Sequence, residues 1–370
     1  MTLDPRRFII RSADPLNGGP DLRTLDEQFI TPNELFFVRN HGAIPEVDPG
    51  DYRLNVGGSV SCPVSYSLED LEQRFERVEV ASTIACAGQR REEMAAHKPI
   101  PGELLWGQEA VSTAVWSGWR LRDVLAASTP TNGSTHVAFE GLDEVERLGS
   151  RFNYGASIPL EKALGEEVLL ADRMNGEPLP ARHGFPLRVV VPGYIGARQV
   201  KWLAAIELRS SSSENYFQRI AYRRYPSDME AATIEPERGT ELTELEVNCV
   251  ITQPLDGQVV EGDSVQLRGV AYTGGEAQVS KVELSADGGR SWSEARLLNP
   301  PVDGRWTWRQ FEGELPLDAA TTAEDGSIAI LARAVDSAGQ SQPADPSRIW
   351  NFKGYMNNAW CRVKVRPAAG

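Results

Sequence analysis

Hydrophobic and polar positions alternate with a period of two over DYRLNVGG (51–58), placing Tyr52, Leu54 and Val56 on one face of a predicted strand. The spacing turns helical in SLEDLEQRF, with Ser67 as the N-cap. RVEVASTIA (77–85) predicts a second strand, which runs into Cys-Ala-Gly and the helix-prone QRREEMAAH. Beyond it RLRDVLAAS and PLEKALG predict helices, whereas THVAFEG, EVLLADRM and PLRVVVPG predict strands. Asn175-Gly176 marks a tight turn. Mixed strand-like and helix-like stretches over about the first 210 residues predict an α+β or α/β unit with a mixed sheet.

A serine run, SSSSEN (210–215), opens a connecting segment that ends in the acid-dense TIEPERGTELTELE. After it the pattern changes to short β runs: LEVNCVIT, SVQLRGVAY, KVELSADGGRSW, RWTWRQFEG, IAILARAVDSAG, RIWNFKG and CRVKVR. About seven strands in roughly 125 residues, with Gly-rich turns and no helical spacing, predict an immunoglobulin-like sandwich. The expected organisation is therefore a first domain over 1–240 and an all-β domain over 241–370. Two domains also suit 370 residues, more than one core commonly serves.

Composition narrows the functions. A net charge of -14 excludes the basic footprint that nonspecific nucleic-acid binding needs. No apolar run reaches the length of a membrane span and no signal-like segment opens the chain, so a cytoplasmic protein is expected, or a periplasmic one if a leader was removed. The four cysteines, Cys62, Cys86, Cys249 and Cys361, form no CxxC pair. With four histidines and no HExxH, a zinc or non-haem iron site built from protein ligands is not expected.

Three segments carry candidate chemistry. Cys86 lies at a strand end on a Cys-Ala-Gly turn, just before Arg90 and Arg91. A helix N-terminus and two guanidiniums favour a thiolate, either a soft metal ligand or a nucleophile, over a buried packing cysteine. The second segment, ARHGFPLRVVVPGYIGARQVKW (181–202), holds Arg182, His183, Arg188, Arg198 and Lys201, with no acid from Ala181 to Ile206. In so acidic a chain this suits a phosphate-bearing ligand, and Gly193 and Gly196 allow close backbone approach; a basic surface stretch is the plainer alternative. The third, FFVRNH (36–41), sets Arg39 and His41 beside aromatics, where a snorkelled packing arginine is the simpler reading. NYFQRIAYRRY and WTWR are similarly open to pocket, packing or cation–π roles.

Taken in order, FFVRNH, CAGQRREEM, STAVWSG, FEGLD, YGASIPL, the run from LLADRM to VKW, WTWR and NAWCRVKV resemble the molybdenum and dimerisation domains of the sulfite oxidase family. The resemblance extends from about residue 30 to the C-terminus, and the HGFP-to-VKW stretch is its most specific part. It implies an α+β molybdenum-cofactor domain followed by the sandwich, and a molybdenum–molybdopterin (pyranopterin dithiolene) cofactor with Cys86 as the single protein ligand to the metal. Phe37, Arg39, His41, Asp143, His183, Arg188 and Lys201 would hold the pterin and its phosphate. Arg39, Arg91, Trp106, Tyr222 and Arg309 would line the substrate pocket, with Cys86, Tyr222 and Arg39 catalytic. The implied reaction is oxidation of sulfite, or a similar small oxyanion, to its oxo-transfer product, with electrons passed to an external acceptor. A homodimer and no haem are implied as well.

The chain departs from the family pattern at four places: Gln89 replaces an asparagine in the cysteine motif, Ala221 an aspartate before Tyr222, and Gln199 a histidine before Val-Lys-Trp. Pro101 stands at an expected lysine, in a segment before Trp106 that is one residue longer. Three alternatives remain at this level: a nitrate-reductase-like module, a transferase using Cys86 with His41 or His183, and a noncatalytic binding protein built on the sandwich.

Overall fold

The computed structural model describes residues 4–318 and 320–368. After an N-terminal hairpin (Phe8–Ala13 with Leu16–Pro20), the alternating stretch forms β1 (Leu54–Gly58), with Leu54 and Val56 buried and Asn55 exposed. β2 (Val64–Tyr66) leads to α1 (Leu68–Arg74), where Ser67 and Asp70 cap each other's backbone reciprocally. Next come β3 (Arg77–Ala85), α2 (Arg91–His97), β4 (Val111–Arg120) and α3 (Leu121–Ala127). A long hairpin follows, β5 (His136–Arg147) and β6 (Ser150–Pro159), then β7 (Leu169–Met174), β8 (Arg188–Val190) and β9 (Leu203–Arg209).

These strands make two sheets. One is mixed, in the order β2-β1-β9-β5-β6, with β1 and β9 parallel; the other is antiparallel, with β3-β4-β7 in sequence and β8 also on β7. The mixed sheet agrees with the sequence reading. β4, β6 and β9 are additional to it. β4 buries eight of its ten residues, so it lacks the alternation that marks a half-exposed strand.

The second half forms two further sheets from β10 (Asn248–Gln253), β11 (Ser264–Tyr272), β12 (Val279–Ser285), β13 (Arg309–Pro316), β14 (Ile328–Asp336) and β15 (Cys361–Pro367). One runs β10-β11-β13 and ends on the short strand Arg296–Leu297. The other centres on β15-β14-β12. Leu267, Phe311 and Leu315 of the first sheet share a core with Leu284, Ile330 and Val363 of the second.

RIWNFKG is not a strand. Instead Trp350 and Phe352 leave the sandwich and pack with Met94, Ile100, Tyr225 and Met229 of the first half. Gly354 ends that excursion at φ 58, where a Cβ would collide with the Arg91 stem at 2.5 Å. Val250, Val270, Tyr272 and Trp308 likewise belong to the first half's largest core cluster. The two halves therefore share apolar packing as well as polar contacts.

Candidate active site

β3 delivers Cys86 to its C-terminal end, and the turn after it is held against the segment before β4. The Cys86 N–H donates to Ala110 O and the Arg90 N–H to Gly107 O. Gln89 makes the same attachment from its side chain, donating to Gln108 O and accepting from Ala110 N. The departure at position 89 thus sits in a scaffold role. Gly88 N donates to the Cys86 sulfur at 3.4 Å.

The expectation that Arg90 and Arg91 electrostatically support this thiol is corrected. Arg90 turns its guanidinium into the second half, onto Glu93, Asn248 and the carbonyls of Ala359 and Trp360. Arg91 donates to Lys353 O and Leu104 O and lies over the Tyr355 ring. The cation that faces Cys86 is Arg39: burial works against its charge, while Tyr222, Cys86, Tyr355 and Glu103 hold its pKa up.

Cys86 opens into a cleft whose empty space, its solvent-open mouth included, is about 660 Å³. Nine of the twelve residues named from the sequence line it: Phe37, Arg39, His41, Cys86, Asp143, His183, Arg188, Lys201 and Tyr222. They come from the 36–41 loop, the end of β3, β5, the 181–202 segment and the end of a π-helical turn (Phe217–Ala221). Arg91 is not among the residues that line the cleft, and its Nε and one terminal nitrogen donate to Lys353 O and Leu104 O. Trp106 is fully buried in the apolar cluster that contains Cys86 and Phe37, and its Nε1–H has no partner. Arg309 is not brought to the cleft: it opens β13 and donates from Nε to Leu298 O at 3.2 Å. The alternative role, stacking on Trp306 or Trp308, is not formed among the described residues either; Lys162 and Arg305 lie over Trp306.

Charge in the cleft is unbalanced. Arg39, Arg188 and Lys201 face a single acid, Asp143. Arg188 is 4% exposed and bonds only to carbonyls, those of His183, Gln199 and Val189, while lying over Trp116 at 4.6 Å. Burial pushes its pKa down to about 9, so the charge persists at neutral pH without a countercharge in contact. Burial, with Arg188 nearby, also lowers the Lys201 pKa well below the lysine range, and burial raises that of Asp143. His41 and His183 are both held far below the usual histidine range, first by burial and then by the surrounding cations. Both are therefore neutral at pH 7. Asn40 Nδ2 and Asp143 Oδ1 are buried without any hydrogen-bond partner. A buried cationic wall with orphaned polar atoms costs folding free energy unless an anion meets it.

Tyr222 and His41 form a pair, Oη to Nε2 at 3.0 Å. The imidazole stacks on Tyr154, which donates its hydroxyl to Ala197 O, and contacts Phe217. Tyr355 from the second half stacks on Tyr222 with centroids 5.2 Å apart. The second half thus reaches the site through Tyr355 rather than Arg309. Sequence reasoning passed over Tyr154 and Tyr355; YGASIPL was noted, and its aromatic position was the signal available. It also passed over Asn40, which accepts from Lys201. Gln199 lines the cleft but spends its amide on Tyr194 O and Val191 N.

Neither His41 nor His183 hydrogen-bonds the Cys86 sulfur, so the geometry supplies no Cys–His nucleophilic pair. Among the described residues no three His, Cys, Asp or Glu side chains gather to hold a metal, and no helix is long and apolar enough to cross a membrane. A metal at Cys86 would draw its remaining ligands from a bound cofactor.

Two family models match the chain. The model of the oxidoreductase molybdopterin binding domain matches residues 41–217, and that of the Mo-co oxidoreductase dimerisation domain matches 240–368. Mitochondrial sulfite oxidase of Mus musculus is 43% identical over 364 residues, covering 96% of this chain; the chain spans 65% of that relative's length. Sulfite oxidase of Gallus gallus is 41% identical over 95% of this chain and 76% of its own length. Among solved structures, the sulfane dehydrogenase SoxCD of Paracoccus pantotrophus superposes with a TM-score of 0.77 at 25% identity, over 96% of this chain and 85% of that one. The chain belongs to the sulfite oxidase family.

Proposed function

We propose that this protein is a molybdenum-dependent oxidoreductase that oxidises sulfite to sulfate and passes two electrons to an external acceptor. The observation that carries the reading is the single thiol of Cys86 opening into a buried, acid-poor cleft walled by Arg39, Arg188 and Lys201. A molybdenum-bearing pyranopterin with its phosphate fits that donor set. The cations match a phosphate, and the orphaned Asn40 Nδ2 and Asp143 Oδ1 match a heterocycle edge that both accepts and donates. His183, Arg188, Lys201, Asp143 and the 36–41 loop would hold the pterin and phosphate, and Cys86 would bind the metal. When bound, that group supplies the two-electron redox and oxo-transfer chemistry.

The chain's own residues bind and orient the anion. Arg39, the guanidinium facing Cys86 and Tyr222, offers paired charge-assisted bonds to an oxyanion. Burial raises the Tyr222 hydroxyl to about 12, so it remains a phenol at neutral pH. Its hydrogen-bond partner is the neutral His41, whose depressed pKa makes it an orienting partner for the hydroxyl rather than a base. The family pattern's aspartate is replaced by Ala221, which brings no carboxylate to the position before Tyr222. We read residues 1–240 as the cofactor unit and 241–370 as an immunoglobulin-like sandwich that pairs two copies into a homodimer. Light scattering at micromolar concentration should give the dimer mass; a monomer with full activity contradicts that reading.

The reaction is tested by sulfite-dependent reduction of an artificial acceptor, first with the wild-type holoenzyme. Tyr222→Phe should then keep metal and fold but lower kcat by about tenfold to a hundredfold, with KM little changed, if the hydroxyl handles a proton in turnover. A higher KM at unchanged kcat would mean that the tyrosine only positions the substrate.

A further inference from the structure

Arg90 stands three residues after Ala87 in the cysteine turn and has a left-handed backbone, φ 62, unusual for a side chain of its size. Its side chain is 0% exposed. All five of its N–H donors are spent: two on Glu93, one on Asn248 Oδ1, and one each on Ala359 O and Trp360 O. Three of those acceptors belong to the second half. The same segment grips the turn twice more, with Asn357 Nδ2 donating to Arg90 O and Met356 N to Ala87 O. Asn248 and Asn357 are themselves joined, Nδ2 to O at 2.8 Å. On the strand side, Trp308 N donates to Thr83 Oγ1 and Thr83 N to Trp306 O, fixing β3 just before Cys86.

A strained backbone position persists where its surroundings over-determine it. Here the surroundings are the second half, and the restrained object is the turn that carries Cys86. We infer that Arg90 is a positioning residue: with Glu93, Asn248 and Asn357 it locks the Cys86 turn onto the 356–361 segment, so that the second half sets where the Cys86 sulfur points. This rests on the reading of Cys86 as the metal ligand. Partners one step removed from a metal ligand orient it and tune the centre. The geometry also gives the second half a task within each chain, separate from pairing two copies.

The test compares wild-type, Arg90→Met and Asn357→Ala holoenzymes. Methionine keeps the stem and removes the fork; Asn357→Ala leaves the Arg90–Glu93 pair intact and removes the Asn357 amide's bonds to Arg90 O and Glu93 Oε2 and its own local bond from Ala359 N, so it decides the matter if Arg90→Met does not fold. Arg90→Met should lower kcat by about 10- to 100-fold with sulfite KM within about threefold, and shift the low-energy absorption of the oxidised enzyme that arises from the Cys86 sulfur. Asn357→Ala should move both in the same direction by less. In the metal-free proteins, alkylation of Cys86 by iodoacetamide, followed on its own peptide by mass spectrometry, should quicken by about tenfold as the turn loosens. A lower Tm with unchanged absorption, kcat and alkylation would reduce Arg90 to a stabilising residue and overturn the inference. Should the wild type bind no molybdenum, the functional reading fails, and the alkylation rates alone decide the positioning role.

Discussion

Cys86→Ser is expected to leave a folded protein with sulfite turnover reduced more than about a hundredfold, because a hydroxyl is a harder and weaker ligand than a thiolate. The substitution is nearly isosteric. Its backbone N–H bond to Ala110 O is kept, and Gly88 N can donate to the new oxygen as it does to the sulfur. Folding should therefore register the change by well under the loss of a core side chain. Steady-state kinetics and a thermal melt check it together. Turnover near wild type with metal bound normally would remove Cys86 from the metal site.

Arg188→Met is expected to act in opposite directions on the empty and the loaded protein. In the cofactor-free chain the guanidinium is buried, touches no carboxylate and leans on Trp116. Removing an uncompensated buried charge in favour of an apolar side chain stabilises by about 1–3 kcal/mol, whereas the His183 carbonyl loses a donor at 3.0 Å worth about 1 kcal/mol and the Gln199 and Val189 carbonyls lose longer, weaker ones at 3.4 and 3.5 Å. The charge effect is the larger, so the empty protein should become more stable. The loaded protein loses a charge-assisted contact of about 1.5–3 kcal/mol to the cofactor, a tenfold or greater loss of affinity. Denaturant unfolding of both forms, with metal content measured alongside, resolves the two effects. Destabilisation of the cofactor-free protein would show that Arg188 is a structural cation rather than one held ready for an anion.

The parts legible in the sequence are those whose signal is local. The period-two face of Tyr52, Leu54 and Val56, the Ser67 cap and the acid-free run of 181–206 each sit within one short window, and each has its expected counterpart in the fold. β4 was missed for the converse reason: a strand buried on both faces carries no alternation to read. RIWNFKG misled because its apolar residues serve the first half's packing rather than a sheet face.

Site residues divide in the same way. Phe37, Arg39 and His41 share one motif, as do His183, Arg188 and Lys201, and the cleft gathers both groups. Tyr154 reaches it from β6, and Tyr355 backs Tyr222 from the 351–359 segment, positions that no spacing rule connects to Cys86. Arg309 shows the opposite error. It stands among aromatics in the sequence, but the strand that begins there points its guanidinium at Leu298 O. The sequence position of Arg90 beside Cys86 suggests support for the thiolate through charge, yet its contacts make it an anchor between halves.

The central claim is that the cationic cleft beside Cys86 holds a molybdenum pterin. The most direct measurement is metal analysis of the purified protein, paired with fluorescence of the oxidised pterin released on denaturation. Stoichiometric molybdenum and a matching yield of pterin are expected in the wild type, with both reduced in Arg188→Met. Sulfite-dependent turnover by protein that contains neither molybdenum nor pterin would contradict it.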